Sequence, residues 1–200
     1  MNRAIAKIGS EIVALTVILF AIFMATSKFG SYLVCIFLAL GYLMMIAGYH
    51  NESTEDRKVA ANVGLIFGCI YAVLVLLVYF AQTTAVRTDV LNEQAVRILD
   101  YSRGGLLFSY DLLGYGMMAL STFFIGLTIN PKDKTDKWLK YLMMIHGVFF
   151  IGCLIMPMTG VFSASMSEGT DSLGGIIALE FWCVYFLPIG MLSIFHFKNT

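Results

Sequence analysis

The sequence predicts an all-α integral membrane bundle of six transmembrane helices, with both termini cytoplasmic and a short amphipathic helix in the outer connector 83–103. Three observations carry this expectation. Apolar residues make up 59% of the chain and charged residues 13%, against about 45–50% and about 25% in ordinary soluble domains. The apolar residues fall in six runs, roughly 11–27, 31–49, 59–82, 104–129, 138–158 and 173–197. Each run is close to the about 20 residues that cross a hydrocarbon core at about 1.5 Å per residue. The charges fall between the runs, and the runs have none of the polar faces that a soluble helical bundle would need. Six spans and their connectors use nearly all of the chain, so residues 1–200 read as a single transmembrane domain.

The first run follows Arg3 and Lys7, and Ala25-Thr26-Ser27 could pass as a signal-peptide cleavage site. The chain continues almost at once into another apolar run, which favours an uncleaved first helix. The second run ends at His50, and the third contains Gly64-x-x-x-Gly68, a spacing that lets helices approach closely. The connector 83–103 places Leu91, Ala95, Ile98 and Leu99 at helical spacing, with Asp89 as a candidate cap. Within the fourth run stand Tyr110, Asp111, Gly114, Tyr115 and Gly116. The fifth opens on Trp138 and Tyr141, aromatic anchors of the interfacial kind, and holds His146. A small, polar, acidic connector, 163–172, precedes the sixth run, which carries Glu180, Pro188 and His196.

The lysines and arginines set the orientation. With six spans, one side collects Arg3, Lys7, Arg57, Lys58, Lys132, Lys134, Lys137, Lys140 and Lys198, and the other Lys28, Arg87, Arg97 and Arg103. Nine against four puts the termini in the cytoplasm by the positive-inside rule. A formal net charge of zero excludes a basic nucleic-acid surface.

Asp111 and Glu180 are acids within apolar runs, and no basic residue shares either run's interior. Charge is costly in hydrocarbon, so an intramembrane acid marks a candidate functional site. Each lies roughly 10 Å below the outer end of its run at about 1.5 Å per residue. The options for such a group are protonation, a bound cation, a tyrosine hydrogen bond, or Arg103 reaching inward from the connector. Tyr110, Tyr115, Tyr79, Gln82 and Tyr32 belong to roughly the same layer, so the candidate ligand- or ion-binding set is Asp111, Glu180, Tyr110, Tyr115, Gln82, Tyr79 and Tyr32. Pro188, below Glu180, is expected to kink the sixth helix.

Other chemistry is not signalled. His50, His146 and His196 lie on different helices without metal-ligand spacing. Cys35, Cys69, Cys153 and Cys183 stand singly in separate runs and read as small hydrophobes. No nucleophile elbow, phosphate loop or acid–base motif occurs. Tyr110-Asp111 matches half of the intramembrane aspartyl protease signature, but the GxGD half is missing. No catalytic residue, metal or cofactor is therefore expected.

The stretches DLLGYGMMALSTFFIGL (111–127) and EFWCVYFLPIGMLSIFHFKN (180–199) resemble small six-span membrane proteins of bacteria that carry no assigned activity. The resemblance implies a bacterial plasma membrane and brings no substrate. The leading expectation is recognition or movement of a small solute, cation or proton through an outward-facing polar pocket. A non-catalytic accessory or immunity-type protein that packs against a partner is the alternative, and a lipid-modifying enzyme a weaker one. Expected partners are the bilayer, a small-molecule or cation ligand, and a second copy or another membrane subunit.

Overall fold

The computed structural model describes residues 1–88, 91–160 and 173–199. Asp89 and the connector 163–172 lie outside the described residues. Every described element is helical: α1 (Asn2–Thr26), α2 (Lys28–Glu52), α3 (Lys58–Ala81), α4 (Glu93–Leu99), α5 (Leu106–Thr128), α6 (Lys134–His146), α7 (Phe149–Thr159) and α8 (Leu173–Asn199). Short 3-10 turns at Glu55–Arg57 and Tyr101–Arg103 and a π-helical turn at Gln82–Val86 join them. Six helical stretches are long and apolar enough to cross a membrane, with α6 and α7 together forming the fifth. The protein is a transmembrane helical bundle.

Helix α1 starts well before the first apolar run because its polar start is locally supported. Lys7 Nζ lies 3.4 Å from Glu11 one turn on, and Arg3 Nε lies 2.9 Å from Glu52 at the end of α2. Ser27 alone separates α1 from α2. Its backbone is extended (φ −159°, ψ 107°), and its hydroxyl accepts the Gly30 N–H at 3.1 Å, which caps α2. Ala25 and Thr26 thus belong to α1, and Ser27 makes the turn. Asn92 caps α4, accepting the Ala95 N–H at 2.9 Å.

The spans pack in chain order around a ring. α1 lies against α2, α2 against α3, α3 against α5, α5 against α6 and α7, α6 against α8, and α8 against α1. The glycine pair of α3 works as its spacing predicts. A Cβ on Gly64 would fall 2.8 Å from the Ile125 side chain, and one on Gly68 would fall 3.0 Å from Ser121 Oγ. The missing side chains let α5 come close enough for Ser121 Oγ to donate to Gly64 O at 2.7 Å. Deep in the bundle Tyr42, Tyr71, Met118 and Phe186 are completely buried.

One feature of the spans differs from expectation. Run 138–158 reads as one helix, yet it divides at Gly147–Val148 into α6 and α7. There the Gly147 and Val148 N–H groups bond three residues back, to Met144 O and Ile145 O, which tightens and ends the α-helical ladder. A Cβ on Gly147 would lie 2.9 Å from Phe123 Cβ, so only glycine brings this turn so close to α5. Pro188 sits inside α8, which runs on to Asn199.

The bundle end that gathers the termini is held by a charged cluster. His196 Nδ1 lies 2.7 Å from Asp136 Oδ1, and His196 Nε2 lies 3.1 Å from Glu52 Oε2. Carboxylates only accept, so both ring nitrogens donate and the network assigns an imidazolium. Arg3 pairs with the same Glu52. This cluster ties α1, α2, α6 and α8 together, and Tyr49 adds a 2.8 Å hydrogen bond to Ser193 Oγ.

Candidate functional site

At the opposite end of the bundle the helices diverge around a cavity of about 590 Å³. Its wall is mostly aromatic and aliphatic, with contributions from α1, α2, α3, α5, α7, α8 and the turn at Tyr101. The helix break at Gly147–Val148 helps to create the space: α7 supplies Phe149, Gly152, Cys153 and Met156 to the wall, while a Cβ on Gly152 would touch nothing within 4 Å.

Asp111 is the carboxylate on that wall, and it is only 1% exposed. Tyr79, in the last turn of α3, donates its hydroxyl to Asp111 Oδ2 at 3.1 Å. The other oxygen, Oδ1, is buried with no hydrogen-bond partner. Arg103 does not reach inward; it pairs with Asp100 at 3.6 Å. Leaving a buried polar atom unsatisfied costs about 1–3 kcal/mol, and more for a charged one.

Gln82 has a different job from the one its depth suggested. Its Nε2 donates to Leu99 O at 2.7 Å and its Oε1 accepts the Tyr101 N–H at 3.1 Å. The side chain fixes the connector onto the end of α3 and does not line the cavity. That attachment places Tyr101 above the acid, where the Tyr32, Tyr79 and Tyr101 rings pack with centroids 5.6–6.1 Å apart. Burial pushes the Tyr101 phenol well above its usual range, so it remains a hydroxyl. Asp111 lies close enough to contribute to that displacement.

Tyr115 forms the deeper wall. Its hydroxyl lies 3.7 Å from Cys35 Sγ, and its ring meets Trp182 edge-on at 5.1 Å. Trp182 in turn donates its indole N–H to His146 Nε2 at 3.2 Å. His146 Nδ1 lies 2.7 Å from Thr122 Oγ1, whose own hydroxyl is directed to Ala119 O at 2.9 Å. The network therefore assigns a neutral imidazole with its proton on Nδ1. His146 is a fully occupied internal bridge between α5, the helix break and α8.

Of the sequence-derived set, Asp111, Tyr79, Tyr32 and Tyr115 share the cavity wall. Gln82 supports it from behind. Tyr110 is 42% exposed and outside the wall. Glu180 is half-buried and also outside it, although Leu179, Phe181 and Trp182 line it. Tyr101 and Lys28 join the wall from outside the sequence-derived set; Tyr101 sits in a connector, where helical depth gives no guide. Among the described residues no group of three or more His, Cys, Asp or Glu side chains could hold a metal ion. No protein-family model, curated protein or solved structure matches the chain.

Proposed function

We propose that this protein binds a small positively charged solute in the cavity, with Asp111 as the anchor. The observation that carries the reading is the Asp111 carboxyl group: buried at a cavity wall, donated to by Tyr79 on one oxygen and by nothing on the other. A carboxyl in that setting keeps a proton or meets a cation. A solute cation completes the missing contact, and charge-assisted hydrogen bonds are the strong ones.

The uneven lysine and arginine distribution supports cytoplasmic termini, hence a cavity that faces outward. In this reading the connector with α4 covers the outer surface of a bacterial plasma membrane. The fully buried plug of Tyr42, Tyr71, Met118 and Phe186 lies beneath the wall, so the arrangement favours binding from one side. Movement across the membrane would require that plug to part.

Trp182 is a built-in reporter, and Trp138 is distant in the fold, at the end that holds the termini. In a Trp138→Phe background, tetramethylammonium should change Trp182 fluorescence saturably. Asp111→Asn should weaken that response about tenfold or more, the value of a lost charged hydrogen bond. Equal responses in the two proteins would remove Asp111 from the site. An impermeant thiol reagent applied to intact cells should label Arg97→Cys, and exclusively cytoplasmic labelling would reverse the orientation.

A further inference from the structure

The same cavity reaches the side of the bundle, and this bears on what it holds. Ile151 on α7 and Phe181 on α8 both line the cavity, yet they are 57% and 61% exposed. Both occur within helices that span the membrane, so surface exposed there meets lipid chains. Met156, also on the wall, is 41% exposed. The cavity is therefore continuous with the lipid-facing surface between α7 and α8.

Its chemistry is graded along the same direction. Asp111 stands with Tyr79, Tyr101 and Tyr115 on the inner side, while Ile151, Met156 and Phe181 form the lateral side. An inorganic cation suits this poorly: calcium takes about 6–8 oxygen ligands and magnesium keeps an octahedral shell, and here one carboxylate stands among aromatic rings, with Lys28 also on the wall. An organic ammonium suits it well, because aromatic faces attract such cations within about 6 Å. A volume of about 590 Å³ falls in the about 300–1,000 Å³ range of pockets for drug-sized molecules.

Resting on the reading of Asp111 as the ligand anchor, we infer that the ligand is a membrane-dissolved amphiphile, an alkyl ammonium. Its cationic head meets Asp111 Oδ1 and its apolar chain leaves between α7 and α8. The bilayer concentrates such a molecule at the lateral opening, and each buried methylene adds to its affinity.

The test uses the full-length protein in lipid nanodiscs, with Trp182 fluorescence in the Trp138→Phe background. Dodecyltrimethylammonium, tetramethylammonium and dodecanoate are titrated against proteins with and without Asp111→Asn, which corrects for partitioning into lipid. Dodecyltrimethylammonium should bind at least about tenfold more tightly than tetramethylammonium, and Asp111→Asn should abolish about tenfold of that affinity. Dodecanoate should give no saturable response. Gly152→Phe fills open space on the α7 wall and should weaken the dodecyl compound by a larger factor than tetramethylammonium. If tetramethylammonium binds through Asp111 and the dodecyl chain adds nothing, the amphiphile inference fails and the anchor survives. If dodecanoate binds as well as its cationic counterpart, the ammonium preference fails. Loss of Asp111 dependence for both cations overturns the inference together with the anchor.

Discussion

Asp111 and Asp136 are aspartates of one molecule, 1% and 4% exposed, and their oxygens meet opposite treatment. Asp136 has both oxygens engaged: Oδ1 faces His196 Nδ1 at 2.7 Å and Oδ2 accepts the Lys132 N–H at 3.1 Å. Asp111 has one hydroxyl donor and one oxygen with nothing. The first acid joins α6 to α8 and is a structural tie. The second faces a cavity and carries an unmet demand. Burial alone did not separate these roles, since both residues are buried. The partner count separates them.

Removing the structural tie should have the largest effect. Asp136→Ala leaves His196 and the Lys132 N–H short of a partner, and breaking a buried pair in this way costs about 3–5 kcal/mol. Thermal unfolding in detergent should register a clear loss, and an Asp136→Ala protein that melts no earlier than Asp111→Ala would dissolve the distinction. Next comes Asp111→Asn, which keeps an acceptor for Tyr79 and gives up the charge. Its stability should stay within about 1 kcal/mol of the parent while cation affinity falls about tenfold. A large loss of stability with unchanged affinity would make Asp111 a second tie. Tyr79→Phe deletes the hydroxyl donated to Asp111 Oδ2 and should cost about 1–2 kcal/mol. Smallest of all is Glu180→Gln: as a half-buried residue outside the cavity wall it should stay within about 0.5 kcal/mol and leave ligand titrations unaltered. Weakened binding in that variant would return Glu180 to the site.

The six spans were legible because a membrane forces long apolar runs, and that signal survives any detail of packing. Tyr79, Tyr115 and Asp111 were legible as one layer because helical rise converts residue number into depth. Rotation about the helix axis is a separate variable. Glu180 belongs to the same stretch of α8 as Trp182, yet Trp182 lines the cavity and Glu180 does not. Gln82 shows another limit: its partners are backbone atoms of Leu99 and Tyr101 in the connector, and a backbone partner leaves no mark in side-chain identity. The division of the fifth span escaped because 138–158 is mainly apolar on both sides of it. Where α6 ends, Gly147 packs against Phe123 of α5, a tertiary contact.

The interruption at Gly147–Val148 also has a mechanical meaning. The backbone at Gly147 and Val148 stays in the right-handed helical region, so the change there is a local tightening of the hydrogen-bond ladder. α6 is clamped to α8 by Tyr185, whose hydroxyl donates to Leu142 O at 2.8 Å, and by the Trp182–His146 bond at the turn itself. α7 lies beyond that clamp, with no residue fully buried along it. The part of the fifth span that borders the cavity is thus less tightly held than the part beside the charged cluster.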